Sequence, residues 1–299
     1  MNKLHNKQQG DDAPLVSVVI PTANRPELLR RAIRSVLDQT YQHFELIIVD
    51  DGQRESAQHI SEEFSDPRII YHKNETSLGG GGTRNVGATL AKGVYVAFLD
   101  DDDEWVKEKL KKQIDLFKKT DLTVGFCYTS IRTKSELKEE VSQVLDGVNE
   151  LHELSLTQYK GFLTSTLMVK KEVFDDVGGF DESLPSHQEA ELIIRITKKY
   201  KGLGINEPLV VMDISGHEHI GGNMDRRIQG RELLLKKHAD TYQAYPKKYA
   251  RQYFQLALWY RSVHRYDEAK KILVKTILLD PMPRYIFHYI KLVLTSVMR

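Results

Sequence analysis

One cysteine, Cys127, stands in a chain of 299 residues, so no internal disulfide can form. Its setting in TVGFCYTS reads as the inside of a strand, where a thiol acts as a small buried apolar group. Long hydrophobic runs are missing too, since nothing approaches the ~18 to 20 apolar residues that a membrane helix needs. The opening MNKLHNKQQGDDAP lacks the apolar core of a signal peptide and reads as a disordered polar tail over 1–14. These absences place the protein in the cytosol (cytoplasmic), or at the inner face of a membrane only peripherally. An excess of one charge is also absent. The 43 basic and 42 acidic residues leave a formal net charge of +1, so no global field recruits nucleic acid and charge effects must be local. No Gly-Lys-Ser/Thr sequence is found, which argues against a P-loop.

What is present is an alternation of strand and helix. LVSVVIP (Leu15 to Pro21) is a short continuous apolar run stopped by proline, the pattern of a strand buried on both faces. RPELLRRAIRSVLDQT then carries an apolar helical stripe, with Pro26 suited to a first turn. The pattern repeats through strand FELIIVDDG, helix ESAQHISEEF, strand RIIYH, helix TRNVGATLAKG and strand VYVAFL. EWVKEKLKKQIDLFKK follows as a helix with Trp105, Leu110, Ile114 and Phe117 on one side. The expected fold is α/β, a mostly parallel central sheet flanked by helices. Residues 129–160 resist assignment. FLTSTLMVKKEVFDDVGGFDESL reads as strand, short helix and turn, and EAELIIRITKKY as a helix with Leu192, Ile193 and Ile196 inward. From Met224 the pattern is helical, predicting a C-terminal all-helical subdomain over 224–299. Within it, Gln255 to Pro281 resembles one tetratricopeptide-type pair, with Ala257, Tyr260, Tyr266 and Ala269 in place. A single such pair cannot bury its own face, so it should dock on the α/β domain or on a partner.

In open α/β sheets ligands lie beyond the carboxyl ends of the strands, and three of the strands end in polar groups: Pro21-Thr22, Asp50-Asp51 and the run FLDDDDEW. Carboxylates ~4 Å apart at an effective dielectric of ~20 repel by ~4 kcal/mol per pair. Helix capping accounts for one or two of these acids. It leaves Asp100, Asp101 and Asp102 at the strand end, where hard oxygen ligands suit Mg²⁺ or Mn²⁺. NETSLGGGGTRNVG adds four glycines, Gly79 to Gly82, before a helix with Thr83 as cap and Arg84 in the first turn. Its free N–H groups are an anion receptor on one reading and a plain flexible loop on the other.

Three motifs in order, VSVVIPTANRPELLRRAIRSVLDQTYQHFELIIVDDG, TRNVGATLAKGVYVAFLDDDDEW and GGFDESLPSHQEAELIIR, resemble a family 2 glycosyltransferase, inverting and metal-dependent, over about residues 15 to 220. The resemblance implies the nucleotide-diphospho-sugar transferase fold, a catalytic domain over 15–223, and a UDP-sugar donor held with Mn²⁺ or Mg²⁺. It puts Pro21, Thr22, Arg25, Asp51 and Arg84 at the base and phosphates, Asp100 to Asp102 in the Asp-x-Asp motif, and Asp102 on the metal. His217 or His219, from SGHEHIGGN, would join it there. Inverting transfer needs a carboxylate to take the acceptor proton. The family has aspartate where this chain has Glu189, a departure by one methylene, with Glu191 the competing base. The implied acceptor is a hydroxyl of a cell-surface glycan or a lipid-linked sugar, and no nucleic-acid partner is expected. The rival readings are a degenerate, non-catalytic scaffold and a nucleotidyl- or phosphotransferase. RYIFHYIKLVLTSVMR, with no acid after Asp280 and a stripe of Ile286, Ile290, Val293 and Val297, reads either as a membrane-surface or protein contact or as a helix packed on its neighbour.

Overall fold

The computed structural model describes residues 13–157, 160–214 and 223–297. The polar tail, apart from residues 13 and 14, and both His217 and His219 lie outside the described residues. The apolar runs become β1 (Val16–Thr22), β2 (Phe44–Asp50), β3 (Ile69–Lys73) and β4 (Tyr95–Phe98), alternating with α1 (Pro26–Leu37), α2 (Gln58–Glu63) and α3 (Gly79–Leu90). Parallel pairing in the order β3-β2-β1-β4 makes half of a ten-stranded sheet. Burial on both faces explains why β2 is apolar at nearly every position.

The other half is mixed. β9 (Met168–Lys170) runs antiparallel to β4 and to β6 (Val124–Lys134), and β10 (Lys201–Asp213) runs parallel to β6. β7 (Glu139–Val141) pairs with β6 and β8 (Gly147–Asn149) with β10, so the unassigned middle of the chain is strand and turn with one short helix, α5 (His152–Ser155). The acidic run corrects the sequence reading. Asp103–Trp105 is a short strand, β5, antiparallel to Val210–Met212 of β10, and α4 (Lys109–Phe117) starts only afterwards. Trp105 therefore belongs to the sheet, where its N–H groups reach Ser35 Oγ and the Ser165 carbonyl.

α3 is a second correction. The glycine run is its first turn, not a loop before it, and Thr83 Oγ1 donates back to the Gly79 carbonyl instead of capping. The cap comes from Asp51, whose oxygens accept the N–H groups of Leu78 and Gly79 at 2.8 and 2.9 Å. Glycine at 87 lets α3 lie on β1 and β2: an added Cβ would stand 2.3 Å from Val19 Cγ1 and 3.2 Å from Val49 Cγ2. Gly87→Ala is expected to cost about 1–3 kcal/mol of stability by overpacking, read from the urea midpoint at unchanged slope.

After β9 come α6 (Lys171–Asp176) and α7 (Gln188–Thr197), the latter with Leu192, Ile193 and Ile196 buried as its spacing requires. The chain then continues as α8 (Met224–Lys237), α9 (Ala239–Gln243), α10 (Pro246–Ser262), α11 (Tyr266–Leu279) and α12 (Pro283–Val297). Their core includes Tyr242, Leu256, Trp259, Tyr260 and Leu273, and it takes in Ile194 of α7 and Leu156. Gln252 Nε2 donates to the Leu156 carbonyl at 2.7 Å. The tetratricopeptide-like pair thus docks on the α/β domain. Among the described residues no helix is long and apolar enough to cross a membrane.

Candidate active site

The acids at the end of β4 divide between two tasks. Asp101 is 1 % exposed. Its oxygens accept Thr22 Oγ1 at 2.7 Å and Arg25 Nη2 at 2.5 Å, while Arg25 Nη1 reaches Asp102 Oδ2 at 3.0 Å. Burial pushes the Asp101 carboxyl up to about 7, with Arg25 and Thr22 opposing and Asp102 and Asp100 adding repulsion. Asp100, Asp102 and Asp103 converge instead, one oxygen of each lying within 4.8 Å of the others. Asp103, absent from the expected set, enters because the turn closes with its N–H on the Asp100 carbonyl and because Ser165 Oγ donates to its Oδ2 at 2.5 Å. Burial and repulsion from Asp100, Asp102 and Asp101 hold the Asp103 carboxyl well above the usual carboxylate range. Three hard oxygen donors on one turn, one of them buried and short of positive charge, fit a divalent cation.

Asp51, at the end of β2, is saturated within the protein by Asn74 Nδ2, Ser77 Oγ and the two N–H groups of α3. Burial raises its pKa, but these donors outweigh it and hold the carboxyl low. The anion receptor expected at α3 is filled by this side chain. Thr22 likewise faces Asp101, and Arg25 precedes the proline that opens α1.

Arg84 joins the acidic mouth to α7. Its guanidinium pairs with Asp100 and lies 3.4 Å from Gln188 Oε1, and its Nε, buried, has no hydrogen-bond partner. Glu189 follows Gln188 on α7, after a turn in which His187 takes the left-handed conformation at φ 63°, a strained position for a non-glycine residue. No side chain among the described residues donates to the Glu189 carboxylate. Burial raises its pKa, its own N–H, Arg84 and Arg231 work against that, and Asp100 adds to it. Glu191 is different. It is fully buried and accepts Arg195 Nε at 2.8 Å, Lys237 Nζ at 2.9 Å and His238 Nε2 at 3.0 Å. Burial would raise its pKa, but these donors hold it far below the ordinary range. A carboxylate so held is a poor base and a strong structural tie.

Residues 17–178 match the model of glycosyl transferase family 2. The chain is a family 2 glycosyltransferase. Among its relatives is the amylovoran biosynthesis glycosyltransferase AmsB of Erwinia amylovora, 31 % identical over 77 % of this chain and 82 % of that one. A second is WfgD of Escherichia coli, a UDP-Glc:alpha-D-GlcNAc-diphosphoundecaprenol beta-1,3-glucosyltransferase, 38 % identical over 38 % of this chain and 44 % of its own. The fold is similar to that of Staphylococcus aureus TarS residues 1–349 in complex with UDP, with TM-score 0.66, 18 % identity, and coverage of 89 % of this chain and 81 % of that one.

In this glycosyltransferase two parts of the site were invisible in the sequence. Ser165, from FLTSTLM, accepts the Asp100 N–H at 3.1 Å and donates to Asp103, and so sets the acidic turn. Only an isolated polar triplet between apolar residues marks it. Arg227 and Arg231 of α8 come within reach of α7 through the fold alone.

Proposed function

We propose that the enzyme transfers a sugar, with inversion, from a nucleotide diphosphate sugar of the UDP type to a hydroxyl of a cell-surface glycan or a lipid-linked acceptor, and that Glu189 is the base. The carrying observation is the placement of an otherwise unpartnered carboxylate, Glu189, one residue from the Arg84 contact that ties α7 to Asp100. Burial raises its pKa, which makes the carboxylate a stronger proton acceptor than a free glutamate. Arg84 steadies the donor's phosphates, and Arg25 with Thr22 fixes Asp101 at the mouth. Asp100, Asp102 and Asp103 would hold Mn²⁺ or Mg²⁺, which when bound supplies positive charge to the departing diphosphate. The UDP-Glc donor and diphosphoundecaprenol-linked acceptor of WfgD, the role of AmsB in amylovoran biosynthesis and the UDP complex of TarS support this reading of donor and acceptor class. The family excludes the nucleotidyltransferase rival. The test is nucleotide release from a panel of UDP- and GDP-sugars with Mn²⁺, Mg²⁺ or EDTA. Release from a UDP-sugar that needs the cation supports the reading, and release equal in EDTA overturns its metal dependence.

The enzyme also meets its acceptor at a lipid surface, on this reading, through α12. One face of that helix buries Tyr285 and Leu292, while Ile286, Phe287, Ile290 and Leu294 are exposed on the other, continued by Val274, Leu278 and Met282. A helix that buries one apolar face and leaves a second apolar face uncovered is unusual in water. Residues 281–299 contain no acid, and Arg284 and Lys291 flank the face, so the charge matches an anionic bilayer. The full chain is expected to co-sediment with phosphatidylglycerol vesicles better than with phosphatidylcholine vesicles, and Phe287→Glu to weaken partition by about tenfold or more. Equal binding to both vesicles, or none together with self-association that Phe287→Glu abolishes, would assign the face to protein instead.

A further inference from the structure

Gly230 of α8 lies so close to the turn before α7 that an added Cβ would stand 2.2 Å from Ser186 Oγ. Ser186 Oγ also donates to the Arg226 carbonyl at 3.0 Å and contacts His187 Nδ1 at 2.8 Å. This clamp brings two arginines of α8 beside the helix that carries Glu189. The guanidinium carbons of Arg227 and Arg231 stand 4.9 and 5.2 Å from the centre of the Trp259 ring, and the His187 ring is 5.7 Å from it. Arg231 is only 4 % exposed, and its buried Nε has no hydrogen-bond partner.

A guanidinium so nearly stripped of water, with its Nε left unpaired, carries a heavy desolvation penalty. The neighbours deepen it. Burial, Arg231 and Arg227 together push His187 down to about 3, and burial first, then repulsion from Arg227, brings Arg231 down to about 10. The carboxylate that reaches Arg231 is Glu189, whereas the mouth aspartates Asp100 and Asp101 act on Arg84. Glu189 therefore feels two separate guanidinium groups, Arg84 from α3 and Arg231 from α8.

We propose that Arg231, with Arg227 beside it on the Trp259 face, forms an anion subsite that takes a phosphate group of the acceptor, holding the acceptor on the side of Glu189 away from the acidic mouth. The inference rests on Glu189 as the base. A phosphate oxygen would satisfy Nε, and the two guanidiniums match a dianion by paired N–H contacts. Trp259 fixes both planes by stacking. A lipid-linked sugar diphosphate and a phosphorylated glycan carry the same group, so either presents the required chemistry.

The test has two arms. In the first, inorganic diphosphate is titrated in EDTA into the wild-type site and into Arg231→Gln, Arg231→Lys and Arg227→Gln, all in a Trp105→Phe background so that Trp259 is the sole tryptophan read. A saturable change in wild type, weakened about tenfold or more in Arg231→Gln and partly restored in Arg231→Lys, supports the subsite. No change in wild type overturns it, whether or not the enzyme turns over. The second arm compares KM for one acceptor sugar carried on a lipid diphosphate, on a water-soluble alkyl diphosphate and on a neutral alkyl group. Loss of wild-type preference for both diphosphates in Arg231→Gln, with the donor KM little changed, supports the assignment, and preference for the lipid form alone would place the lipid tail in the site as well. A rise in donor KM instead moves the subsite to the donor's diphosphate and overturns the proposal. Should Arg231→Gln not fold, Arg227→Gln and Arg231→Lys carry both arms, and wild-type affinity in both would overturn it.

Discussion

Glu189→Gln is expected to lower kcat by about 10²- to 10⁴-fold, the usual worth of a positioned base, with the donor KM little changed. The amide keeps the size and nearly the shape of the side chain, so the loss reads the proton acceptor and not the packing. The pH profile sharpens the test. A base works ionised, and the folded protein raises the Glu189 pKa through burial, so the acid limb of kcat/KM should lie above the ~4.3 of a free glutamate. Rate is lost as pH falls through that limb, and the residual activity of Glu189→Gln should lack the limb altogether. Glu191→Gln should behave otherwise, lowering the melting temperature because Arg195 and Lys237 lose their counter-charge. Full turnover in Glu189→Gln would remove the base assignment.

Asp102→Ala is expected to reduce turnover by about 10³-fold or more, the several kcal/mol that metal-assisted departure of a leaving group supplies. Thermal stabilisation by UDP with Mn²⁺ should vanish with it. The same variant should melt close to wild type in EDTA, because the repulsion it relieves at Asp101 and Asp103 offsets the loss of the Arg25 ion pair. The pH dependence in EDTA follows from Asp101, whose folded-state pKa of about 7 exceeds the ~3.9 of an unfolded aspartate. The folded state then holds the proton more tightly, so this group's contribution falls as pH rises from ~4 to ~7. Melting scans across that window check the sign, and a rise in wild-type stability over it would contradict the burial of Asp101.

The parallel half of the sheet was legible because a strand covered on both faces must be apolar throughout, and β1, β2 and β4 are bounded by helices with clear stripes. β10 was not legible. KGLGINEPLVVMD mixes glycine, proline and charge, and its irregular register with β6 is carried by long-range pairing. β5 was misread because the helical spacing of Leu110, Ile114 and Phe117 runs back to Trp105, where pairing with Val210 wins over propensity. The acids were legible as a group but not in their division, since the turn decides which carboxylates converge. Glu189 and Glu191 could not be ranked in the sequence. Two residues apart on a helix are ~200° apart around it, so the two carboxylates meet different partners, and only the packed structure tells which.

The partners of Glu191 bear on how the protein is divided. Glu191, two positions from the proposed base, is bolted by Lys237 and His238 to the far end of α8. The C-terminal helices therefore brace the helix that carries the proposed base. Grafting another relative's tail onto this sheet would detune the reaction even where no grafted side chain meets a substrate.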